Sequence, residues 1–327
     1  MKEKSLLKIA LTCIFIGIGL LASKDKITAY VTSLQDSKVV NETPKHLEIH
    51  FCPEENCYEI FRNFIKNTSS LEYAIYELDN ELASLMAKKK YKLVTDNRES
   101  LKIYHKGDEE GLMHNKFCVD LANDFVITGS FNPKNASVDD VNNLIIIQSK
   151  YLAENYKDEF DEMWNGIFKT GDKVKYPLVR YGKILIENYF CPEDNCKEKV
   201  INLLNKANKS IYFMHYILTD NEIANILKEK SNVIDVKGVL EERNAFNRYS
   251  KYEFLKNSNA KVKLNNRKAL LHSKIFIVDE KIVITGSYNP TYSANKRNDE
   301  NLLIFHSKEV AKKYLENFQK YWQRKIF

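Results

Sequence analysis

Apolar and polar positions follow two alternating patterns along this chain. Short runs with apolar residues at nearly every position, such as residues 144–147 and 302–305, have the length and character of buried strands. Other segments, including residues 58–66 and 197–208, carry apolar residues at the spacing of amphipathic helices. Strands that alternate with helices predict an α/β fold, in which helices cover the sheets.

The same order of patterns occurs twice. Segments of the first half align with segments of the second half at offsets that grow from 139 to 158 residues. The aligned pairs are "FCPEENC" (51–57) with "FCPEDNC" (190–196), residues 69–80 with 209–220, and His114 and Lys116 with His272 and Lys274. Agreement over more than 100 residues indicates a duplication.

The duplication predicts two α/β sandwich halves, over residues 46–166 and 183–327, related by a pseudo-two-fold axis. Gly and Pro residues mark 165–182 as a linker between them. Each half ends in a helix with an aromatic stripe at i, i+4 and i+8, for which we predict core packing. The aligned stripe residues are Tyr156, Phe160 and Trp164, and Tyr314, Phe318 and Trp322.

The N-terminus reads as a targeting segment. Lys2, Lys4 and Lys8 precede an uncharged apolar run at residues 9–22. Fourteen residues suit the apolar core of a signal peptide, and an uncleaved membrane anchor stays open if Lys8 snorkels. A buried core helix is the other alternative. We expect residues 1–28 to export the protein, which is then either secreted or anchored in a membrane.

Composition sets wider limits. A chain of 327 residues with 44% hydrophobic and 12% aromatic residues is long and apolar enough for two folded units. Its net charge of +6 is only mildly basic. That charge permits a polyanionic substrate but does not require one.

Four of the six cysteines form two matched pairs, Cys52 with Cys57 and Cys191 with Cys196. In an oxidising compartment each pair would close a small disulfide loop. Free thiols and a single four-cysteine metal site are the alternatives at this stage. The metal site requires the fold to bring the two pairs together.

The aligned histidines begin a hairpin with an unusual composition. His272 and Lys274 are two residues apart on a strand, so they share one face. Ser287 and Asn289 end the returning strand and come back beside them. The first copy places His114, Lys116, Ser130 and Asn132 in the same way. Two such hairpins facing each other would suit a phosphodiester, because lysines and amides hold its oxygens while one histidine attacks phosphorus and the other protonates the leaving oxygen.

The second hairpin, "HSKIFIVDEKIVITGSYNP", resembles the signature of the phospholipase D superfamily, as does "HNKFCVDLANDFVITGSFNP" in the first copy. The G-S-x-N ending is similar to the bacterial nuclease-like and mitochondrial cardiolipin-hydrolase-like branches. The resemblance covers residues 46–327. It implies two α/β halves packed sheet beside sheet, a phosphohistidine intermediate, no metal or other cofactor, and release of an alcohol.

The resemblance also implies a candidate catalytic aspartate, Asp279, whose role in the family is mainly to support the hairpin. The first copy has Leu121 at that position. Either Asp120 or Asp124 would take its place.

A second difference between the copies concerns the residue that orients the histidine. The second copy has Glu300 before its last strand, where the first has Asn142. A carboxylate beside an imidazole raises its pKa, whereas an amide adds no charge. We therefore predict that Glu300 keeps His272 protonated as the acid, and that His114 is the nucleophile.

The second copy is also about 18 residues longer before its histidine, the difference between offsets 140 and 158. This insertion carries basic and aromatic residues, which suit a phosphate-bearing chain or a lipid headgroup, although a solvated loop is equally consistent. Its relevant residues are Arg243, Phe246, Arg248, Tyr249, Lys251 and Tyr252.

Three functions follow. The first is hydrolysis of phospholipids at a membrane surface, the second is a metal-independent endonuclease, and the third is an inactive phosphate-binding module. Because one chain supplies both halves, none of them requires oligomerisation. The motif recognises the phosphodiester and not the groups attached to it, so the substrate stays open between lipid and nucleic acid.

Overall fold

The computed structural model describes residues 39–68, 70–96 and 111–323. Within these ranges the chain forms a mixed α/β fold with two β-sheets. The targeting segment predicted for residues 1–28 lies outside the described residues. No helix in the described ranges has the length and apolar character needed to cross a membrane.

The first half alternates strands and helices as the sequence pattern predicts. Its strands are β1 (Val40–Glu42), β2 (His46–Cys52), β3 (Ser70–Ile75), β4 (Lys90–Val94), β5 (Leu112–Met113), β6 (Lys116–Asp120), β7 (Phe125–Gly129) and β8 (Asn142–Gln148). Its helices are α1 (Cys57–Asn67), α2 (Asn80–Met86) and α3 (Lys150–Trp164), with a 3₁₀ turn at Asn135–Ser137.

The second half repeats this order with additions. Its strands are β9 (Leu178–Tyr181), β10 (Ile184–Cys191), β11 (Ser210–His215), β12 (Asp235–Glu241), β13 (Lys261–Asn265), β14 (Lys274–Val278), β15 (Ile282–Gly286) and β16 (Asn298–His306). Its helices are α4 (Cys196–Lys206), α5 (Asn221–Lys230), α6 (Glu242–Ala245), α7 (Tyr252–Lys256), α8 (Tyr292–Lys296) and α9 (Lys308–Trp322). Strand β9 lies inside the stretch read as a linker, so only the first part of that stretch lacks regular structure.

The strand order confirms the duplication. One sheet has the order β2-β8-β7-β6-β3-β4, and the other contains the equivalent order β10-β16-β15-β14-β11-β12. The second sheet continues through β13 at one edge and through β9 and β1 at the other. The short strand β5 of the first half pairs in parallel with β16 of the second, which joins the halves directly before His114.

One apolar cluster draws on both sheets and on both closing helices, α3 and α9. Tyr156, Phe160, Tyr314 and Phe318 are completely buried in it. The predicted core role of the aromatic stripes is confirmed, because burying each large ring removes much apolar surface from water. Each half also has a core of its own on the other side of its sheet.

The paired cysteines form disulfides within their own halves, Cys52 with Cys57 and Cys191 with Cys196. Disulfide sulfurs carry no thiolate and cannot ligate a metal. The disulfide interpretation therefore holds in this structure, and the free-thiol and four-cysteine metal alternatives do not. Cys118 is a buried free thiol.

Asp279 supports its hairpin, as the resemblance implies, and does not lie among the catalytic side chains around the histidines. It lies in the turn between β14 and β15, at the opposite end of β14 from His272. Its carboxylate accepts backbone N–H bonds from Asn208, Lys209 and Ser210, at 2.7–3.1 Å. Asp279 therefore fastens the hairpin to the start of β11 and is too far along the strand to act on a substrate.

The first copy fastens its turn differently. Asp120 accepts the backbone N–H of Ala122 at 3.1 Å and the side-chain amide of Asn123 at 2.7 Å, both in its own turn. Asp124 instead pairs with Lys45 at 3.5 Å. The two copies therefore differ in how an aspartate stabilises the hairpin turn. Asp279 binds the start of a neighbouring strand, whereas Asp120 binds residues of its own turn.

We predict that Asp279→Asn lowers the free energy of unfolding by about 1–2 kcal/mol at pH 7, a value discounted for partial exposure. Burial by itself raises the pKa of Asp279, but the three N–H groups that it accepts together hold this pKa below its usual value. Its stabilisation is therefore present above the unfolded-state pKa of about 3.9 and is lost as pH falls through the lower folded-state pKa. Urea unfolding at pH 7 and pH 3 measures the difference. The exposed Asp158→Asn is the control, and equal losses for both variants would contradict the prediction.

Candidate active site

The two histidines are held by main-chain bonds that cross between the halves. The backbone N–H of His114 donates to the carbonyl oxygen of Asp299 at 3.0 Å. The backbone N–H of His272 donates to that of Val141 at 2.9 Å. Each histidine therefore lies against the last strand segment of the opposite half.

The side chain of His114 also reaches across. Its Nδ1 lies 2.8 Å from Oε2 of Glu300, a carboxylate that is completely buried. Ser287 donates its hydroxyl to the same oxygen at 2.6 Å. With Nδ1–H donated to the carboxylate, the lone pair of His114 is on Nε2.

The imidazole of His272 has an amide partner. Its Nδ1 lies 3.0 Å from Oδ1 of Asn142 and 3.2 Å from the carbonyl oxygen of Ser130. The Ser130 hydroxyl donates to the same amide oxygen at 2.9 Å. The prediction that Glu300 orients His272 is therefore wrong. The partners are exchanged because each histidine packs against the last strand of the other half, and not against the strand that follows it in its own.

Both site lysines are buried and make the same contact. Nζ of Lys116 and Nζ of Lys274 each donate to the backbone oxygen of their own histidine at 2.7 Å. Nζ of Lys274 also lies 3.3 Å from Nε2 of His272. The i, i+2 pairing predicted from the strand pattern is therefore present in both copies.

Burial sets the protonation of the lysines. It lowers the pKa of Lys116 to about 7. Burial, followed by the charge of Lys116, lowers the pKa of Lys274 well below its ordinary value. An anion bound near Lys116 and Lys274 would offset the repulsion between their charges, so the two lysines favour an anionic ligand.

Burial also sets the protonation of the histidines. It lowers the pKa of His114 to about 4, although the charge of Glu300 acts in the opposite direction. Burial, followed by the charges of Lys274 and Lys116, lowers the pKa of His272 well below its ordinary value. Both imidazoles are therefore neutral at neutral pH before an anion enters.

The remaining predicted residues divide into two groups. Asn132 and Asn289 line the cleft, and their Oδ1 atoms have no hydrogen-bond partner in the described part of the chain. Ser130 and Ser287 are completely buried and hold the groups that orient the histidines. The asparagines can therefore contact a ligand, whereas the serines position Asn142 and Glu300.

The site opens into a cleft of about 1370 Å³ that both halves line. Tyr76 and Tyr216, which sequence reasoning did not select, lie in its wall. Their rings are 4.9 and 5.0 Å from the rings of His114 and His272. The signal was available, since these tyrosines align at the offset of 140 residues.

The insertion of the second half reaches the cleft in part. Arg243, Arg248 and Tyr249 line it. Tyr252 is buried, whereas Phe246 is exposed. The insertion is therefore more than a solvated loop, because it builds one wall of the site. Arg297, from the segment after α8, adds a further cation that the sequence reasoning missed.

Comparison with known proteins agrees with this geometry. The family model described as cardiolipin synthase, PLD-like domain, matches residues 54–164 and again 200–322. The two matches together cover more than half of the chain, and each contains one histidine–lysine pair.

Individual relatives match parts of the chain. Phospholipase D of Rickettsia conorii is 31% identical over 144 residues, which are 44% of this chain and 72% of the relative. Mitochondrial cardiolipin hydrolase of Mus musculus is 35% identical over 74 residues, 23% of this chain and 34% of the relative.

A solved structure matches nearly the whole fold. Phosphatidylserine synthase of Haemophilus influenzae aligns with a TM-score of 0.68 at 11% identity, covering 91% of each chain. At that identity the likeness concerns the fold alone. The repeated family match, the relatives and the duplicated architecture show together that this chain belongs to the phospholipase D family and is a phosphodiesterase of that type.

Proposed function

We propose that this protein hydrolyses phospholipid phosphodiester bonds through a phosphohistidine intermediate. The observation that carries the proposal is the exchange of partners at the site, which gives two neutral imidazoles different surroundings. His114 contacts the buried carboxylate of Glu300, and His272 contacts the side-chain amide of Asn142. The names of the Rickettsia and mitochondrial relatives favour a lipid substrate.

His114 is the nucleophile. Because burial keeps its pKa at about 4, its Nε2 lone pair is available at neutral pH. Attack on phosphorus turns the ring into a cationic phosphoimidazolium. The Glu300 carboxylate stabilises that charge, as a buried aspartate does for the imidazolium of a serine-protease triad. His114 is also the nucleophile predicted from the sequence. That prediction assumed that His114 has no carboxylate partner, whereas here the carboxylate of Glu300 lies beside it and stabilises the charge of the intermediate.

His272 is the acid. Beyond burial, the charges of Lys274 and Lys116 keep its pKa low in the free enzyme. A bound phosphodiester anion offsets those charges and therefore raises the pKa of His272. The carbonyl oxygens of Asn142 and Ser130 fix the Nδ1–H group, so that a second proton on Nε2 faces the leaving oxygen.

The reaction then runs in two balanced steps. Nε2 of His114 bonds to phosphorus, the bond from phosphorus to the alcohol oxygen breaks, and His272 gives that oxygen its proton. In the second step a water gives a proton to His272 and attacks phosphorus, which breaks the phosphorus–nitrogen bond. The lysines and the amides of Asn132 and Asn289 hold the non-bridging oxygens in both steps.

One chain supplies both histidines, so the site is complete without a second copy. We also propose that the apolar run at residues 9–22 exports the protein and keeps it at a membrane surface. An endonuclease is the second candidate. It is favoured by the open cleft, whose wall carries the cationic side chains of Arg243, Arg248 and Arg297.

We expect His272→Asn to accumulate a phosphoryl-enzyme with a phosphodiester whose leaving group is p-nitrophenol. This leaving group departs without a proton, whereas hydrolysis of the intermediate needs His272 as base. The measurement is a stoichiometric p-nitrophenol burst, followed by mapping of the label on His114 after alkaline denaturation. His114→Asn is the matched control and gives no burst. A burst from His114→Asn instead would reverse the two roles.

The protonation of the site predicts a bell-shaped pH profile. We expect kcat/KM for a soluble phosphodiester to rise through about pH 4, as His114 becomes neutral. It falls as pH rises through about 7, where Lys116 loses the charge that helps to bind the phosphodiester. The alkaline limb of kcat lies at higher pH, because bound substrate stabilises the cations. A constant kcat/KM from pH 5 to 9 would exclude this assignment.

The substrate class is tested with the full chain and its His114→Ala variant, both purified in detergent that is removed before the assay. We expect histidine-dependent release of choline and glycerol from phosphatidylcholine and phosphatidylglycerol vesicles, with phosphatidic acid as the second product. Single- and double-stranded DNA are assayed in parallel. Cleavage of DNA without lipid turnover would establish the endonuclease instead. Turnover of neither, with phosphate esters still bound, would indicate the inactive module.

A further inference from the structure

We propose that the mouth of the cleft is a docking surface for anionic phospholipid bilayers. We call this surface the docking rim and define it by Phe246, Tyr249 and Tyr292 with Arg248 and Arg297. The inference rests on the proposed lipid function and adds to it a surface that presents the bilayer to the site. The rim belongs entirely to the second half.

Exposed aromatic rings occur at this mouth and directly beside it in the chain. Phe246, Tyr249 and Tyr292 are 67%, 57% and 64% exposed. They are three of the eight large apolar side chains that are exposed in the described ranges, and Leu112, at 40%, lines the same cleft. Single exposed apolar residues are ordinary on a protein surface, whereas a cluster of them marks a binding surface.

Two arginines stack on these rings. The guanidinium carbon of Arg248 lies 4.4 Å from the ring centre of Tyr249, and that of Arg297 lies 5.5 Å from the ring centre of Tyr292. Aromatic side chains favour the boundary between lipid headgroups and acyl chains, and basic side chains favour anionic headgroups. The combination of aromatic and basic side chains in the docking rim therefore favours an anionic bilayer over a purely apolar partner.

The opposite wall has a different character. Its Lys134 pairs with Glu77. Between Asn132 and Asn142 the first copy reads "PKNASVDDV", which contains two acidic residues and no aromatic residue. The corresponding segment of the second copy contributes Tyr292 and Arg297, and the insertion contributes the rest. The rim is therefore an addition to the duplicated frame and not a consequence of it.

The position of Phe246 favours a membrane over a nucleic acid. Phe246 does not line the cleft, although its ring lies 6.0 Å from that of Tyr252 in the same insertion. A strand of nucleic acid lying in the cleft would leave Phe246 uncovered. Phe246 directly precedes Asn247 and Arg248, which line the cleft, so a bilayer lying across the mouth is broad enough to contact Phe246 as well as Tyr249 and Tyr292.

The test places a fluorescent reporter at the rim. Full-length His114→Ala, which cannot turn over lipid, is compared with and without Phe246→Trp. Val233→Trp, at a position 77% exposed and outside the cleft lining, is the matched control. Vesicles contain phosphatidylcholine alone or mixed with phosphatidylglycerol, with brominated acyl chains as quencher.

We expect the emission of Phe246→Trp to shift to shorter wavelength and to be quenched on the anionic vesicles, and that of Val233→Trp to stay unchanged. Adding Arg248→Gln and Arg297→Gln should raise the lipid concentration for half-maximal quenching about 30-fold, as expected for two basic groups at an anionic surface. Quenching is local, so attachment of the protein by another segment does not reproduce it.

Three outcomes would overturn the proposal. They are vesicle-bound protein with unquenched Phe246→Trp, equal quenching of both reporters, and a response of Phe246→Trp to DNA but not to vesicles. The experiment distinguishes failure of the docking rim from failure of the proposed lipid hydrolysis. Wild-type protein that releases choline or glycerol while the reporter stays unquenched would retain the function and exclude the rim.

Discussion

The active site depends on two main-chain hydrogen bonds that run between the halves, from His114 to Asp299 and from His272 to Val141. Each bond fixes a histidine backbone against a strand segment of the other half, so neither half can build its imidazole environment alone. The side-chain contacts repeat this exchange, because Glu300 then reaches His114 and Asn142 reaches His272. Separating the halves would remove the imidazole of His114 from Glu300 and the amide of Asn142 from His272.

The duplication gives the two halves the same strand order, and differences between the halves give the two histidines different surroundings. The two strand orders are equivalent, and both lysines contact their histidines in the same way. The two histidines occupy equivalent positions but have different roles, because one contacts the carboxylate of Glu300 and the other contacts the amide of Asn142. In a site that already lowers both imidazole pKa values by burial, the carboxylate matters most where positive charge develops during the reaction.

Much of this organisation could be predicted from the sequence, for identifiable reasons. The aromatic stripes of α3 and α9 are spaced for one helix face, and burial follows from spacing. The i, i+2 placement of Lys274 after His272 fixes a shared strand face. The motif also implies that Asp279 supports the hairpin, but it does not give the distance of Asp279 from the site, because five strand residues separate its turn from the histidine.

The duplication, the α/β class, the paired histidines and lysines, and the family can all be recognised from the amino-acid sequence. These follow from local periodicity and from comparison of the chain with itself. Three features require the folded chain: the contact of Glu300 with His114, the positioning of Asn142 and Glu300 by the two serines, and the wall of the cleft that the insertion forms. Such pairings join residues as far apart as 186 positions, and no local pattern specifies which half a strand will pack against.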